Sequence, residues 1–142
     1  MTGSPGSSPW GRAAVLGWLA FAAGEGAIRL FDLYRRFPHV DVPSHVLSGV
    51  ALGATFLWAL ERAGEPRPYR LLATLGVALM AGLWEAMELV DEAITPDPPH
   101  LRDRFVWDGA VDVLVTTAAG ALAVALLTRR HGAGESDADP RP

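Results

Sequence analysis

Four apolar stretches, each about as long as a bilayer is thick, limit what this chain can fold into. They cover residues 13–31, 43–60, 71–90 and 108–128. A helix needs about 20 apolar residues, at a rise of about 1.5 Å per residue, to cross roughly 30 Å of hydrocarbon. Backbone groups in lipid must be hydrogen-bonded within the segment, so each stretch is predicted to be a helix. We expect an all-α integral membrane bundle of four transmembrane helices, with the lipid bilayer as its partner.

Composition supports this class of protein. Half of the residues are hydrophobic, and the charged fifth lies mostly between the apolar stretches. Residues 46–60 and 71–84 are apolar on every side, whereas the helices of a soluble bundle carry one polar face. No basic stripe with interleaved aromatic residues is present, which argues against nucleic-acid binding. The absence of cysteine from the sequence excludes disulfides, thiolate metal sites and a cysteine nucleophile.

The length of 142 residues fits one domain. We expect a transmembrane domain over 13–130, flanked by disordered tails at 1–12 and 131–142, which are rich in Gly, Ser, Pro and Asp. A cleaved signal peptide over 10–27 is an alternative, although the apolar run continues beyond it to Phe31. Four crossings put both termini on one side, where seven of the twelve arginines also fall. This excess predicts cytoplasmic termini and a multi-pass protein of a prokaryotic inner membrane.

Ionisable residues stand at or inside the ends of these stretches, and four crossings bring them to one face of the membrane. Such residues are costly at membrane depth unless they are paired, so they are functional candidates. We predict metal ligands among Asp41, His45, Glu85, Glu88, Asp108 and Asp112. The candidate catalytic residues among these six are His45, Glu85 and Asp112.

Spacing supports several of these candidates. Asp41 precedes His45 by four residues, so its carboxylate can orient the imidazole if the helical turn extends back that far. Asp41 acting only as a helix cap is the alternative. Glu85 and Glu88 share one helix face, and Glu85 lies roughly 7–8 Å inside the end of its stretch. Asp108 is a possible N-cap, whereas Asp112 stands one turn further in and points along the same face.

Crowded carboxylates repel one another and need protons, arginines or a cation to coexist. One imidazole with several carboxylates suits Mg²⁺, Mn²⁺, Ca²⁺ or, less well, Zn²⁺. A divalent metal is therefore the one cofactor that the sequence suggests. The spacing matches no zinc-protease signature of the H-E-x-x-H type.

Other residues are predicted to have structural roles. Gly49 and Gly53, and the small residues of 118–120, are typical of close helix packing in lipid. Glu25 and Arg29 have the spacing of an ion pair within one helix. Trp84 and Trp107 are expected at the membrane interface or in the wall of a pocket.

Three motifs carry a resemblance to known proteins. They are D-V-P-S-H-V-L-S-G at 41–49, W-E-A-M-E-L-V-D at 84–91 and W-D-G-A-V-D-V-L-V-T-T-A-A-G at 107–120. The chain resembles the YjdF-like family of small bacterial inner-membrane proteins and is similar to the VanZ-like group. The resemblance implies the architecture, since YjdF-like proteins have no defined biochemical role. VanZ-like proteins are associated with glycopeptide resistance, but they more often carry Gln where this chain has Glu88, so that role is not transferred.

Three functions fit these residues. The first is a metal-assisted enzyme acting on a lipid or envelope precursor near the outer face. The second is a non-catalytic scaffold or accessory subunit, in which the acids hydrogen-bond between helices. The third is a small proton- or ion-coupled transporter, which the apolar inner halves of the helices disfavour. Because four short helices leave little room for a buried substrate, a homo-oligomer is also left open.

Overall fold

Four helices make up the fold in the described part of the chain. The computed structural model describes residues 8–33, 36–37, 39–64, 69–94 and 105–136. The helices are α1 (Pro9–Leu30), α2 (Val42–Ala63), α3 (Tyr69–Ile94) and α4 (Phe105–Ser136), and no strand occurs within those ranges. All four are long and apolar enough to cross a membrane. The predicted all-α bundle of four membrane-spanning helices is confirmed.

All four helices are longer than the apolar stretches from which they were predicted, α1 at its beginning and α4 at both ends. Helix α1 begins at Pro9, because the Ser8 hydroxyl accepts a hydrogen bond from the Gly11 amide at 3.5 Å and proline suits the first helical position. Helix α4 begins at Phe105 and its backbone continues to Ser136. Disordered tails are predicted at 1–12 and 131–142. Residues 1–7 and 137–142 of these tails lie outside the described part of the chain.

Helix α2 lies at the centre and packs on the other three helices, most extensively on α4 and next on α1. Its glycines let α4 approach closely. A β-carbon added at Gly49 would stand 2.2 Å from the Thr116 carbonyl oxygen, and one at Gly53 would stand 2.8 Å from the Gly120 carbonyl oxygen. The predicted packing role of Gly49 and Gly53 is confirmed, whereas Ala118 faces outward.

Helix α1 is attached to α2 along its length. Near the middle, a β-carbon at Gly17 would stand 2.9 Å from Cα of Ala51, and Trp18 Nε1 donates a hydrogen bond to Thr55 Oγ1 at 3.1 Å. At the beginning of α1, the Ser8 hydroxyl donates a hydrogen bond to the Glu61 carboxylate. Helix α1 therefore belongs to the bundle and holds its register against α2.

The outer surface of the bundle is apolar, as a lipid environment requires. Large exposed side chains on this surface include Leu79, Leu83, Leu122 and Leu126. The largest fully buried side chains are Leu57, Val77 and Val124, one from each of α2, α3 and α4. The interior is thus small, and it lies mainly where α2 meets its neighbours.

Replacing Gly49 by alanine is expected to destabilise the bundle by about 1–3 kcal/mol, because the added methyl group would force α2 away from the Thr116 carbonyl. The matched control is Gly82→Ala on α3, where a β-carbon meets nothing within 4 Å. That change is expected to leave stability unchanged or raise it by up to about 1 kcal/mol. Thermal unfolding in detergent measures both, and equal melting temperatures for the two variants would contradict the packing described.

Candidate functional site

Polar residues from all four helices converge at one end of the bundle. Beside them lies a cavity of about 450 Å³ lined by residues of α1, α2 and α3 and by Thr116 of α4. Four of the six predicted ligands line it, namely Asp41, His45, Glu85 and Glu88. Because successive helices run in opposite directions, these residues, which are distant in the sequence, lie at the same end of the bundle, as the sequence predicted.

Three predicted ligands form the tightest group. Asp41, His45 and Asp112 each offer one ligand atom, and these atoms lie within 4.8 Å of one another. His45 Nε2 and Asp112 Oδ2 are 3.5 Å apart. Asp112 is only 8% exposed, so its carboxylate is separated from bulk solvent. This group joins the beginning of α2 to the beginning of α4.

Local helix geometry explains how Asp41 and His45 meet. Asp41 precedes α2 in a right-handed helical conformation, and its carbonyl accepts the His45 amide at 3.0 Å. The helical turn therefore extends back as the spacing required. Although Asp41 holds the N-cap position, its side chain makes no capping hydrogen bond, so the carboxylate is directed to the group with His45 instead.

A threonine on α4 holds the other side of the imidazole. Thr116 Oγ1 lies 3.2 Å from His45 Nδ1, and Thr116 is 4% exposed. A hydrogen bond at Nδ1 orients the ring and leaves Nε2 facing Asp112. Thr116 follows Asp112 by four residues, which places both on one face of α4. This spacing is the signal by which the sequence could have identified Thr116.

The remaining predicted ligands lie around this group and are not members of it. The half-buried Glu85 reaches α4, where its Oε2 is 2.8 Å from the position of a β-carbon on Gly109, so a side chain there would displace the carboxylate. Glu88 is exposed and accepts a hydrogen bond from Trp84 Nε1 at 2.7 Å. Asp108 is half-buried in the first turn of α4. Their roles as ligands stay predictions.

Asp108 does not hold the N-cap position that the sequence allowed for it. Helix α4 begins three residues earlier, at Phe105, so Asp108 stands within the first turn. A carboxylate there faces the positive end of the helix dipole, which is favourable in itself. Asp108 therefore has a structural role available that requires no metal.

Glu25 is a site residue that is not among the six ligands predicted from the sequence. Its carboxylate accepts a hydrogen bond from Arg29 Nε at 2.7 Å, which confirms the predicted ion pair within α1. It also accepts one from Ser44 Oγ at 2.9 Å and lines the cavity beside that serine. The position of Glu25 inside the first apolar stretch was the sequence signal for a site residue. Its spacing of four residues from Arg29 already explained its charge by an ion pair within the helix.

We expect Thr116→Val to lower stability by about 1 kcal/mol, because it removes the hydroxyl that lies against His45 Nδ1. The His45 imidazole nitrogen shifts in NMR spectra should change with it. Thr117→Val is the matched control, since the buried Thr117 hydroxyl has no hydrogen-bond partner within the described part of the chain. It should be neutral or stabilising and leave those shifts unaltered, and similar effects of both changes would contradict this account.

Comparison with known proteins agrees with the membrane architecture. A family model described as "Predicted membrane protein (DUF2238)" matches residues 8–133, which include all four helices up to the last residues of α4. No curated protein and no solved structure matches the chain. The chain is therefore a member of the DUF2238 family of predicted membrane proteins.

Proposed function

We propose that this protein is a membrane enzyme that uses a divalent cation, held by Asp41, His45 and Asp112, to act on a lipid or envelope precursor. The observation that carries the proposal is the grouping of three ligand atoms within 4.8 Å, next to a cavity among apolar helices. Two carboxylates with one imidazole are a ligand set that suits Mn²⁺ or Zn²⁺, and with more water Mg²⁺ or Ca²⁺.

The distances fit one ion. Two ligands at about 2.1 Å from a metal stand roughly 3.0–3.4 Å apart when they are adjacent in its coordination shell. His45 Nε2 and Asp112 Oδ2 are 3.5 Å apart, which is longer than an ordinary hydrogen bond between such atoms. The three ligand atoms all lie within 4.8 Å of one another, and opposite ligands of one divalent cation stand about 4–5 Å apart.

The surrounding residues have distinct parts in this proposal. A bound divalent cation supplies Lewis-acid polarisation of a phosphoryl or carbonyl oxygen. Glu85, half-buried and lining the cavity, is the residue we assign to proton transfer at the reacting group. Thr116 orients His45, and loss of such a supporting contact typically weakens metal binding by about 10–100-fold.

The orientation and compartment are part of the proposal. Both termini lie in the cytoplasm of a prokaryotic cell, and the site opens toward the outer face of the inner membrane. The seven arginines predicted on the side of the termini, against five on the other, support this arrangement. The resemblance to YjdF-like proteins supports a bacterial inner-membrane location, but it carries no activity. Nothing among the comparisons supports the similarity to the VanZ-like group.

A non-catalytic scaffold is the second candidate, and interhelical hydrogen bonds favour it. Ser44 connects α2 to Glu25 of α1, and His45 connects α2 to Thr116 of α4. A role limited to holding the bundle together would require these contacts and no cation. A proton- or ion-coupled transporter has less support, because the ionisable residues that line the cavity gather at one end of it.

Purified wild-type protein is expected to contain close to one divalent metal per chain by mass spectrometry, after supply of Mn²⁺ or Zn²⁺ where needed. His45→Ala and Asp112→Asn should each lose it, because every ligand contributes directly to the coordination shell. Asp91→Asn is the matched control: this exposed acid on α3 lies outside the three-residue group and should leave the metal content unchanged.

Melting temperatures of the same variants separate the enzyme from the scaffold. If the wild type binds no metal, or if the Asp112→Asn variant binds metal as well as the wild type does, the proposal of a metal-dependent enzyme is wrong. A scaffold predicts that outcome together with a lower melting temperature for Asp112→Asn, because a buried interhelical contact is lost.

A further inference from the structure

We infer that the cavity is a lateral cleft between α1 and α3 that receives one hydrocarbon chain of a bilayer lipid, with the headgroup at the Asp41–His45–Asp112 end. The inference deepens the proposed function, on which it rests for the identity of the substrate. Binding of the hydrocarbon chain depends on the shape and the walls of the cleft.

The packing of the helices produces the opening. Helices α1 and α3 both pack on α2 and make few contacts with each other, among them the contact of the Trp10 and Tyr69 rings, whose centroids are 6.4 Å apart. Trp18 and Phe21 of α1 form one wall of the cavity, and Met80 and Trp84 of α3 form the other. Between these walls lies α2, which contributes Leu52 to the lining. The cavity is therefore bounded by two helices that leave a gap between them.

Exposure of the walls shows that this gap opens to the side of the bundle. Trp18, Met80 and Trp84 line the cavity and are 39%, 43% and 56% exposed. These residues lie on helices that are long and apolar enough to cross the membrane. The medium outside the gap is then mainly lipid chains, which can enter without crossing the water interface.

Polarity changes along the cleft in the direction that an amphiphile needs. One end is lined by Trp18, Leu52 and Met80, whereas the other carries Glu25 and His45. From the level of Trp18 to that of Arg29 the cleft extends about 16 Å, at 1.5 Å per residue along α1. Burial of a hydrocarbon chain is most favourable in free energy at the apolar end. The headgroup of the same lipid then lies beside the polar residues.

Polarity favours a lipid chain over water as the occupant of the apolar end. A second copy of this chain is the competing occupant, and native mass spectrometry would show it as a dimer without bound lipid. Water needs two to four polar partners at each position, and the apolar end supplies too few. A cavity of about 450 Å³ is within the range of small-molecule pockets.

The test measures lipid retained by the full chain. Protein reconstituted in vesicles of phosphatidylethanolamine and phosphatidylglycerol is extracted in mild detergent with a chelator present, and bound lipid is counted by native mass spectrometry. Wild type should retain one lipid. Met80→Trp fills the cleft from its exposed wall and should reduce retention about tenfold, equivalent to about 1.4 kcal/mol. Leu79→Trp, exposed on the same helix but outside the lining, should retain wild-type lipid.

A second pair of variants tests the same cleft if the Met80→Trp variant does not fold. Ala81→Leu narrows the cleft from its buried side, and Ala118→Leu on the exposed face of α4 is its control. Equal retention by cleft and control variants, or no retained lipid in the wild type, would overturn the inference. Asp112→Asn, with the chelator present, should keep its lipid. Wild-type protein that binds metal but retains no lipid refutes only the cleft, whereas wild-type protein that retains one lipid but binds no metal refutes only the proposed enzyme.

Discussion

The close contact between α2 and α4 at Gly49 is the interaction on which the candidate site depends. Gly49 follows His45 by one helical turn, and its backbone lies against the carbonyl of Thr116, whose hydroxyl contacts the His45 ring. The same residue of α4 thus forms both the packing contact and the polar contact. Because lipid gives little hydrophobic drive for helix association, small residues that allow close van der Waals packing determine which helices meet. At this contact they also determine the position of Asp112.

Burial of polar groups is organised around this contact. Asp112 and Thr116 are nearly inaccessible to solvent, and both lie against His45. On the α1 side, Glu25 is held by Arg29 and Ser44. Buried polar groups without partners are costly, so these pairs make the polar end of the bundle compatible with membrane depth. The cleft remains open because α1 and α3 are joined mainly through α2, and the Trp10 and Tyr69 rings that connect them lie at the beginnings of the two helices, away from the candidate site.

The sequence predicted the four spans because composition and length alone determine them in lipid. It was less accurate at helix ends, where local chemistry decides: Ser8 and Pro9 begin α1 earlier, and the first turn of α4 includes Asp108. The Asp41–His45 pair followed from spacing within one helix. Which distant carboxylate joins that pair depends on how α2 crosses α4, and no spacing within one helix encodes this. Glu25 was overlooked because Arg29, on its own helix, already explained its charge.

The most direct test of a metal held at one end of the bundle uses Mn²⁺ as a paramagnetic probe. The natural chain has no cysteine, so a spin label can be placed at one engineered cysteine, at Asp91 or at Ala63. Helix α2 is about 33 Å long, which puts Ala63 at the end opposite to His45. One equivalent of Mn²⁺ should broaden the label at 91 strongly and the label at 63 little. Equal broadening at both positions, or none at either, would contradict the one-sided metal site.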